Sequence, residues 1–189
     1  MKNLIIILFI ISIPIFVSGQ RVSFFGEDLN FSLEKDIFEV DGLYYFRNLT
    51  DKEVKQMLFY PFPDVEKYGE IAYIRVTPEN DTTSMLATQS AKGAMFKLQI
   101  PPNEEVAYRI SYGQKPVSGE ATYIITTTQH WEKPFEFAKY NFSFPNNLSL
   151  NFVSIPPNSI TSSAEKTRYD WEREDFMPEV DFIFHFTEK

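Results

Sequence analysis

The run Phe38-Glu39-Val40-Asp41-Gly42-Leu43-Tyr44-Tyr45-Phe46-Arg47 decides the fold class. Phe38, Val40, Gly42, Tyr44 and Phe46 fall on one parity, with Glu39, Asp41 and Arg47 on the other. Successive side chains of a β-strand point to opposite faces, so a period of two describes a strand with one face in a core and one toward water. The same alternation recurs along the chain. Ala94, Phe96, Leu98 and Ile100 interleave with Met95, Lys97 and Gln99, and Val106, Tyr108, Ile110 and Tyr112 with Ala107, Arg109 and Ser111. Ala138, Tyr140, Phe142 and Phe144 interleave with Lys139, Asn141 and Ser143. Leu148, Leu150 and Phe152 follow, and Val180, Phe182, Phe184 and Phe186 close the series. Weaker segments of the same kind lie at 29–33, 54–60, 71–77 and 121–127.

Turn chemistry separates these runs. Pro61-Phe62-Pro63-Asp64, Pro78-Glu79-Asn80-Asp81, Pro101-Pro102-Asn103, Pro145-Asn146-Asn147 and Pro156-Pro157-Asn158 each combine a residue that cannot donate to a ladder with residues that favour turns. Short strands at regular spacing, without a sustained 3.6-residue period, predict an all-β fold, a sandwich or a barrel; the sandwich is favoured, antiparallel and Ig-like in outline, of about 9–11 short strands. Helix is confined to a turn or two at Asp64–Tyr68 or Ser162–Lys166. The polar stretch Ile160–Arg168, the most loop-like of the second half, is expected either as an excursion before the final strand or as a boundary to a C-terminal hairpin, and the acidic run 170–175 as a solvated turn.

The N-terminus has the three parts of a secretory signal: a short basic start at Met1-Lys2-Asn3, an apolar run Leu4–Val17 broken only by Ser12 and Pro14, and small residues at Ser18-Gly19. The run is shorter than the ~18–20 residues of a spanning helix. Residues 1–19 are therefore expected to be a signal peptide cut before Gln20, with no transmembrane segment afterwards. Residues 20–189 then form a single β-sandwich domain, secreted or periplasmic. Removing Lys2 leaves 17 basic residues against 26 acidic, a net charge of −9. A surface of that sign, with no Lys/Arg cluster, repels phosphate backbones, so nucleic acid is not an expected partner. The chain has no cysteine, which removes disulfides, thiol chemistry and thiolate metal sites.

Candidate chemistry is sparse. The histidines are His130 and His185, and neither G-x-S-x-G nor H-E-x-x-H occurs. Asp28, Asp36 and Asp41 do not match a calcium loop. No catalytic residue, metal ligand or cofactor is assigned. Carboxylates beside aromatics, Glu132 next to Trp131 and Asp170, Glu172, Glu174 and Asp175 around Trp171, are where a glycan-cleaving acid pair would be sought. An exposed indole stacks on a sugar face or anchors a peptide, whereas in a sandwich large aromatics more often fill the core. Trp131, His130, Glu132, Trp171 and Asp170 are accordingly the candidate binding residues. Five N-x-S/T triplets begin at Asn30, Asn48, Asn80, Asn141 and Asn147 and are read as products of composition.

Tyr123-Ile124-Ile125-Thr126-Thr127, followed by Trp131, Pro134 and Ala138-Lys139-Tyr140, resembles a pattern of secreted bacterial β-sandwich domains. Tyr44-Tyr45-Phe46-Arg47-Asn48 and Phe59-Tyr60-Pro61-Phe62-Pro63 are similar to the same domains and, loosely, to the VIT (vault and inter-alpha-trypsin) domain. The resemblance spans residues 38 to 144. It implies a two-sheet, VIT-like sandwich and carries over no catalytic residue. The expected function is a non-enzymatic binding or interaction domain that engages a protein or glycan partner of the cell envelope. The alternatives are a carboxylate-dependent glycan hydrolase and a structural component of an envelope assembly.

Overall fold

The computed structural model describes residues 20–189 except positions 35, 82, 86 and 118, so the expected signal segment lies outside the described residues. Thirteen strands follow one another: β1 (Val22–Glu34), β2 (Ile37–Asn48), β3 (Val54–Pro61), β4 (Ile71–Pro78), β5 (Thr88–Ser90), β6 (Gly93–Ile100), β7 (Glu105–Gln114), β8 (Glu120–Tyr123), β9 (Phe135–Pro145), β10 (Leu148–Val153), β11 (Ser159–Ser162), β12 (Lys166–Phe176) and β13 (Phe182–Glu188). One helical turn, α1 (Val65–Tyr68), lies between β3 and β4, and a 3-10 helix at Thr126–Trp131 between β8 and β9. Among the described residues no helix is long and apolar enough to cross a membrane.

Seven strands form one large sheet in the order β11-β12-β9-β1-β2-β7-β4, and two three-stranded sheets have the orders β10-β13-β8 and β3-β6-β5. Both small sheets lie on the same face of the large one. From the first, Phe184 meets Phe38 and Phe142 at ring-centroid distances of 5.7 and 4.5 Å. From the second, Tyr60 meets Tyr44 at 5.6 Å and Phe96 meets Tyr108 at 6.4 Å. This is the all-β sandwich that the alternation predicts. The inward parities of β2, β6 and β9 are buried as read from the sequence. The outward face of the large sheet carries ion pairs instead, such as Arg47 held between Glu105 (2.7 Å) and Glu136 (2.6 Å).

The structure departs from the sequence reading in several places. Among the described residues there are thirteen strands rather than 9–11, and β1 and β2 run to 13 and 12 residues. One pairing is parallel: Gly26–Ser32 of β1 runs alongside Phe137–Ser143 of β9. A parallel neighbour needs a long crossover, here the whole passage through β2 to β8, and side-chain alternation carries no information about strand direction. The stretch 160–168 is neither an excursion nor a boundary but itself lies in a hairpin. Ser159–Ser162 of β11 pairs with Thr167–Asp170 of β12, so 162–166 holds two strand ends and the turn at 163–165, and not a helix. The acidic run 170–175 is no solvated turn either. It lies within β12 and pairs with β9, placing Glu172 opposite Lys139. The segment 121–127 leaves the sheet after Tyr123, because one oxygen of Asp181 accepts the N–H groups of Ile125 and Thr126, both at 3.0 Å, and the Thr126 hydroxyl. At 64–68 the expected turn of helix is present, with Asp64 capping the Glu66 N–H at 3.0 Å.

Candidate ligand-binding cleft

A cleft of about 630 Å³ opens where β1 and β2 of the large sheet, β3 of a small sheet, the end of β8 and the 3-10 helix come together. Its construction starts with a bulge in β1. Phe24 pairs with Phe46 of β2, and Gly26 pairs with the adjacent Tyr45, leaving Phe25 as an extra residue. An extra residue shifts the side-chain parity of everything beyond it. Val22 and Phe24 point into the sandwich before the bulge; Glu27, Leu29, Phe31 and Leu33 occupy the buried positions after it. Gly26 suits the crossing point, because a Cβ there would come within 2.6 Å of the Phe137 ring.

The bulge thus buries an acid. Glu27 is 2% exposed and borders the cleft. Tyr123 donates to its Oε1 and Tyr140 to its Oε2, both at 3.0 Å. The chain of hydroxyls continues from Tyr123 to Tyr44 (3.2 Å) and from Tyr44 to Tyr60 (2.8 Å). These four tyrosines come from β2, β3, β8 and β9, so the cluster ties both layers together. Burial pushes the Glu27 carboxyl up to about 8, and the bonds from Tyr140 and Tyr123 offset only part of that shift. Burial also raises all four phenols well above their ordinary value, so they remain protonated donors.

Hydrogen counting sharpens the picture. Each phenol brings one hydrogen and the neutral carboxyl a fifth, while the cluster has four contacts. With Glu27 ionised, four hydrogens meet four contacts; with Glu27 neutral, one donor has no partner within the cluster. Glu27, Tyr44, Tyr60 and Tyr123 all border the cleft, so that donor has open space to face.

The walls are aromatic. Phe24 lies against Phe46 at 4.9 Å and meets Trp131 edge-on at 5.7 Å. Beside the opening, Met57 and Phe59 are 55% and 51% exposed, and Met95 on β6 extends this apolar rim. Among the described residues, neither lysine nor arginine lines the cleft.

The sequence-derived candidates are divided by the structure. Trp131 and His130 sit on the 3-10 helix and line the cleft. Glu132, which ends that helix in a left-handed conformation (φ 56°), is exposed and does not line it. Trp171 is a core residue: it is 2% exposed, and its indole N–H donates to the Ile155 carbonyl at 2.8 Å. Its neighbour Asp170 pairs with Arg168 at 2.7 Å, and both Trp171 and Asp170 border a separate polar depression beside Asn30, Lys139 and Asn141. The two tryptophans therefore do not share a site. Glu27 and its four tyrosines are not among the sequence-derived site candidates. The available signal was that Glu27, counted in twos from Leu33, Phe31 and Leu29, falls on the apolar parity.

Asn48 shows how a glycan-type triplet can serve structure. It is buried, its Oδ1 accepts from the Thr50 N–H at 2.9 Å and hydroxyl at 2.8 Å, and its amide reaches the carbonyls of Lys52 and Pro101 at 2.7 and 2.8 Å.

No protein-family model matches the chain, and no curated protein does. Among solved structures, a candidate nutrient-binding protein from Legionella pneumophila superposes with a TM-score of 0.70 at 16% identity, over 90% of this chain and 68% of that one. An M1 zinc metallopeptidase from Deinococcus radiodurans superposes with a TM-score of 0.52 at 12% identity, over 88% of this chain and 43% of that one. A form of that metallopeptidase bound to the substrate Tyr-Ser-Ala gives 0.50 at 10% identity. This chain thus spans less than half the length of the peptidase. At such identities the likeness concerns the fold.

Proposed function

We infer that this protein is a non-enzymatic ligand-binding domain that works outside the cytoplasm, taking its ligand into the cleft beside Trp131. The observation that carries this reading is the combination in one cleft of aromatic walls and a convergent polar floor of Glu27, Tyr44, Tyr60 and Tyr123. Ligand sites are concave, mostly apolar and oriented by a few placed polar groups. The candidate nutrient-binding role of the Legionella protein agrees with this reading at the level of fold. Export rests on the N-terminal sequence, and the exposed Met57, Phe59 and Met95 offer a landing surface at the rim. A glycan-cleaving enzyme would need two carboxylates flanking the scissile bond; among the described residues Glu27 is the sole carboxylate lining this cleft.

The test is a fragment screen read by amide and indole NMR shifts of the isotope-labelled protein. Binders are expected to perturb the Trp131 indole together with Tyr60, Tyr123 and Thr127, and Trp131→Ala is expected to weaken them by about tenfold, the loss of one aromatic wall. Perturbations confined to other surfaces, or binding indifferent to Trp131→Ala, would remove the cleft from the account.

A further inference from the structure

The cleft does more than accept a ligand; its chemistry selects a charge. We propose that the ligand is a small organic cation, a positively charged nitrogen on an apolar body, with Glu27 as its counter-ion and the rings of Tyr44, Tyr60, Tyr123 and Trp131 around it. The proposal rests on the binding reading above and specifies its ligand class.

Three observations converge. Aromatic faces carry negative charge density and attract cations, and here Phe24, Tyr44, Phe46, Tyr60, Tyr123 and Trp131 all line one cleft. A carboxyl sits at the floor, and among the described residues no lysine or arginine lines the cleft to compete for it. The hydrogen-bond cluster is complete when Glu27 is ionised, since four phenolic hydrogens then meet four contacts. A neutral acceptor would take up the spare hydrogen of the protonated cluster but would gain nothing from the negative charge of the ring faces. An anion would face a carboxyl and a chain of net charge −8. A cation uses all of these features together: as it enters, Glu27 releases its proton to water, the cluster closes on its four contacts, and the carboxylate is left paired instead of isolated in an apolar site.

The groups that surround Glu27 determine how this depends on pH. They are Tyr44 on β2, Tyr60 on β3, Tyr123 on β8 and Tyr140 on β9. Tyr112 on β7 acts on Tyr44 and Tyr60, Arg173 on β12 acts on Tyr140, and His130 stands at the cleft on the 3-10 helix. The phenols stay protonated through the neutral range because burial raises them. Between pH 7 and 9 the change in the floor is therefore the ionisation of Glu27, whose carboxyl stands at about 8. Cation affinity is expected to rise about tenfold over that interval, the increase in the ionised fraction of a group with that midpoint.

The experiment titrates the protein with benzyltrimethylammonium, which keeps its charge at every pH, and with benzyl alcohol as a neutral probe of similar shape. Binding is read by calorimetry and by shifts of the Trp131 indole. The cation is expected to bind at least about tenfold more tightly than the alcohol at pH 8, roughly the worth of a desolvated cation–π and ion-pair contact. It should gain affinity from pH 7 to 9, and lose both preference and pH dependence in Glu27→Gln. The wild-type pH series needs no variant, so the proposal stays testable if Glu27→Gln folds poorly. Equal affinity for the two probes, cation binding untouched by Glu27→Gln, or no response to the cation at the Trp131 indole each overturns the cation assignment. The fragment screen against Trp131→Ala decides separately whether the cleft binds anything.

Discussion

Glu27 shows how a single side chain can set both the stability and the chemistry of a domain. A carboxyl in an unfolded chain titrates near 4.5, whereas in the folded protein burial raises it to about 8. The folded state therefore binds the proton more tightly, and between those two values it holds a proton that the unfolded chain has lost. Stability contributed by this group is fully present below about pH 4.5, falls as pH rises toward 8 and levels off above it, a total on the order of 5 kcal/mol. Glu27→Gln keeps the shape and removes the titration. Urea unfolding of both proteins at pH 5, 7 and 8.5 is expected to show the variant gaining on the wild type with each step in pH. A constant difference across that range would mean that Glu27 titrates alike in both states. Nothing in residue type alone announces this role, since an acid next to Asp28 near the start of a strand resembles any other surface acid. Its parity with Leu29, Phe31 and Leu33 is readable directly; what the sequence does not mark, beyond Gly26, is the bulge at Phe25 where that parity ends.

Elements built from clear alternation were recoverable from sequence; those governed by tertiary contacts were not. β2 and β6 bury one parity completely, and β9 does so from Ala138 to Phe144, so the period of two suffices to find them. In β11 every residue is exposed, Ile160 included, so there is no apolar stripe to read, and the strand exists because β12 offers a partner. The 3-10 helix carrying His130 and Trp131 is another such case. Tyr123-Ile124-Ile125-Thr126-Thr127 has the composition of a strand, yet Asp181, more than fifty residues away, takes the hydrogen-bond donors at 125 and 126 that would otherwise continue the ladder. Asp181→Ala leaves these donors without their acceptor and is expected to cost about 2–3 kcal/mol in urea unfolding, as for other lost hydrogen bonds to a charged group. It should also speed amide exchange at Thr126–Trp131 relative to β9. Unchanged exchange there would show that Trp131 packing on Phe24 and Phe46 holds the helix unaided.

Across the molecule, one large sheet covered by two small ones explains why the cleft lies where it does. The sheets β10-β13-β8 and β3-β6-β5 share the face of the seven-stranded sheet without pairing to each other. The 3-10 helix leaves β8 of one and comes to lie near β3 of the other, across the bulged end of β1. Two sheets on one face were not foreseeable from strand spacing, because alternation reports which side is buried and not which partner buries it. The consequence is a polar floor under an aromatic opening, formed only when both layers close over β1. The measurement that tests this arrangement most directly is the titration of the Glu27 carboxyl carbon by NMR in the selectively labelled protein. A midpoint near 8, without the early change of an exposed glutamate, is the expected result. A midpoint near 4.5 would place Glu27 in water and contradict the bulge, the tyrosine cluster and the cleft built on them.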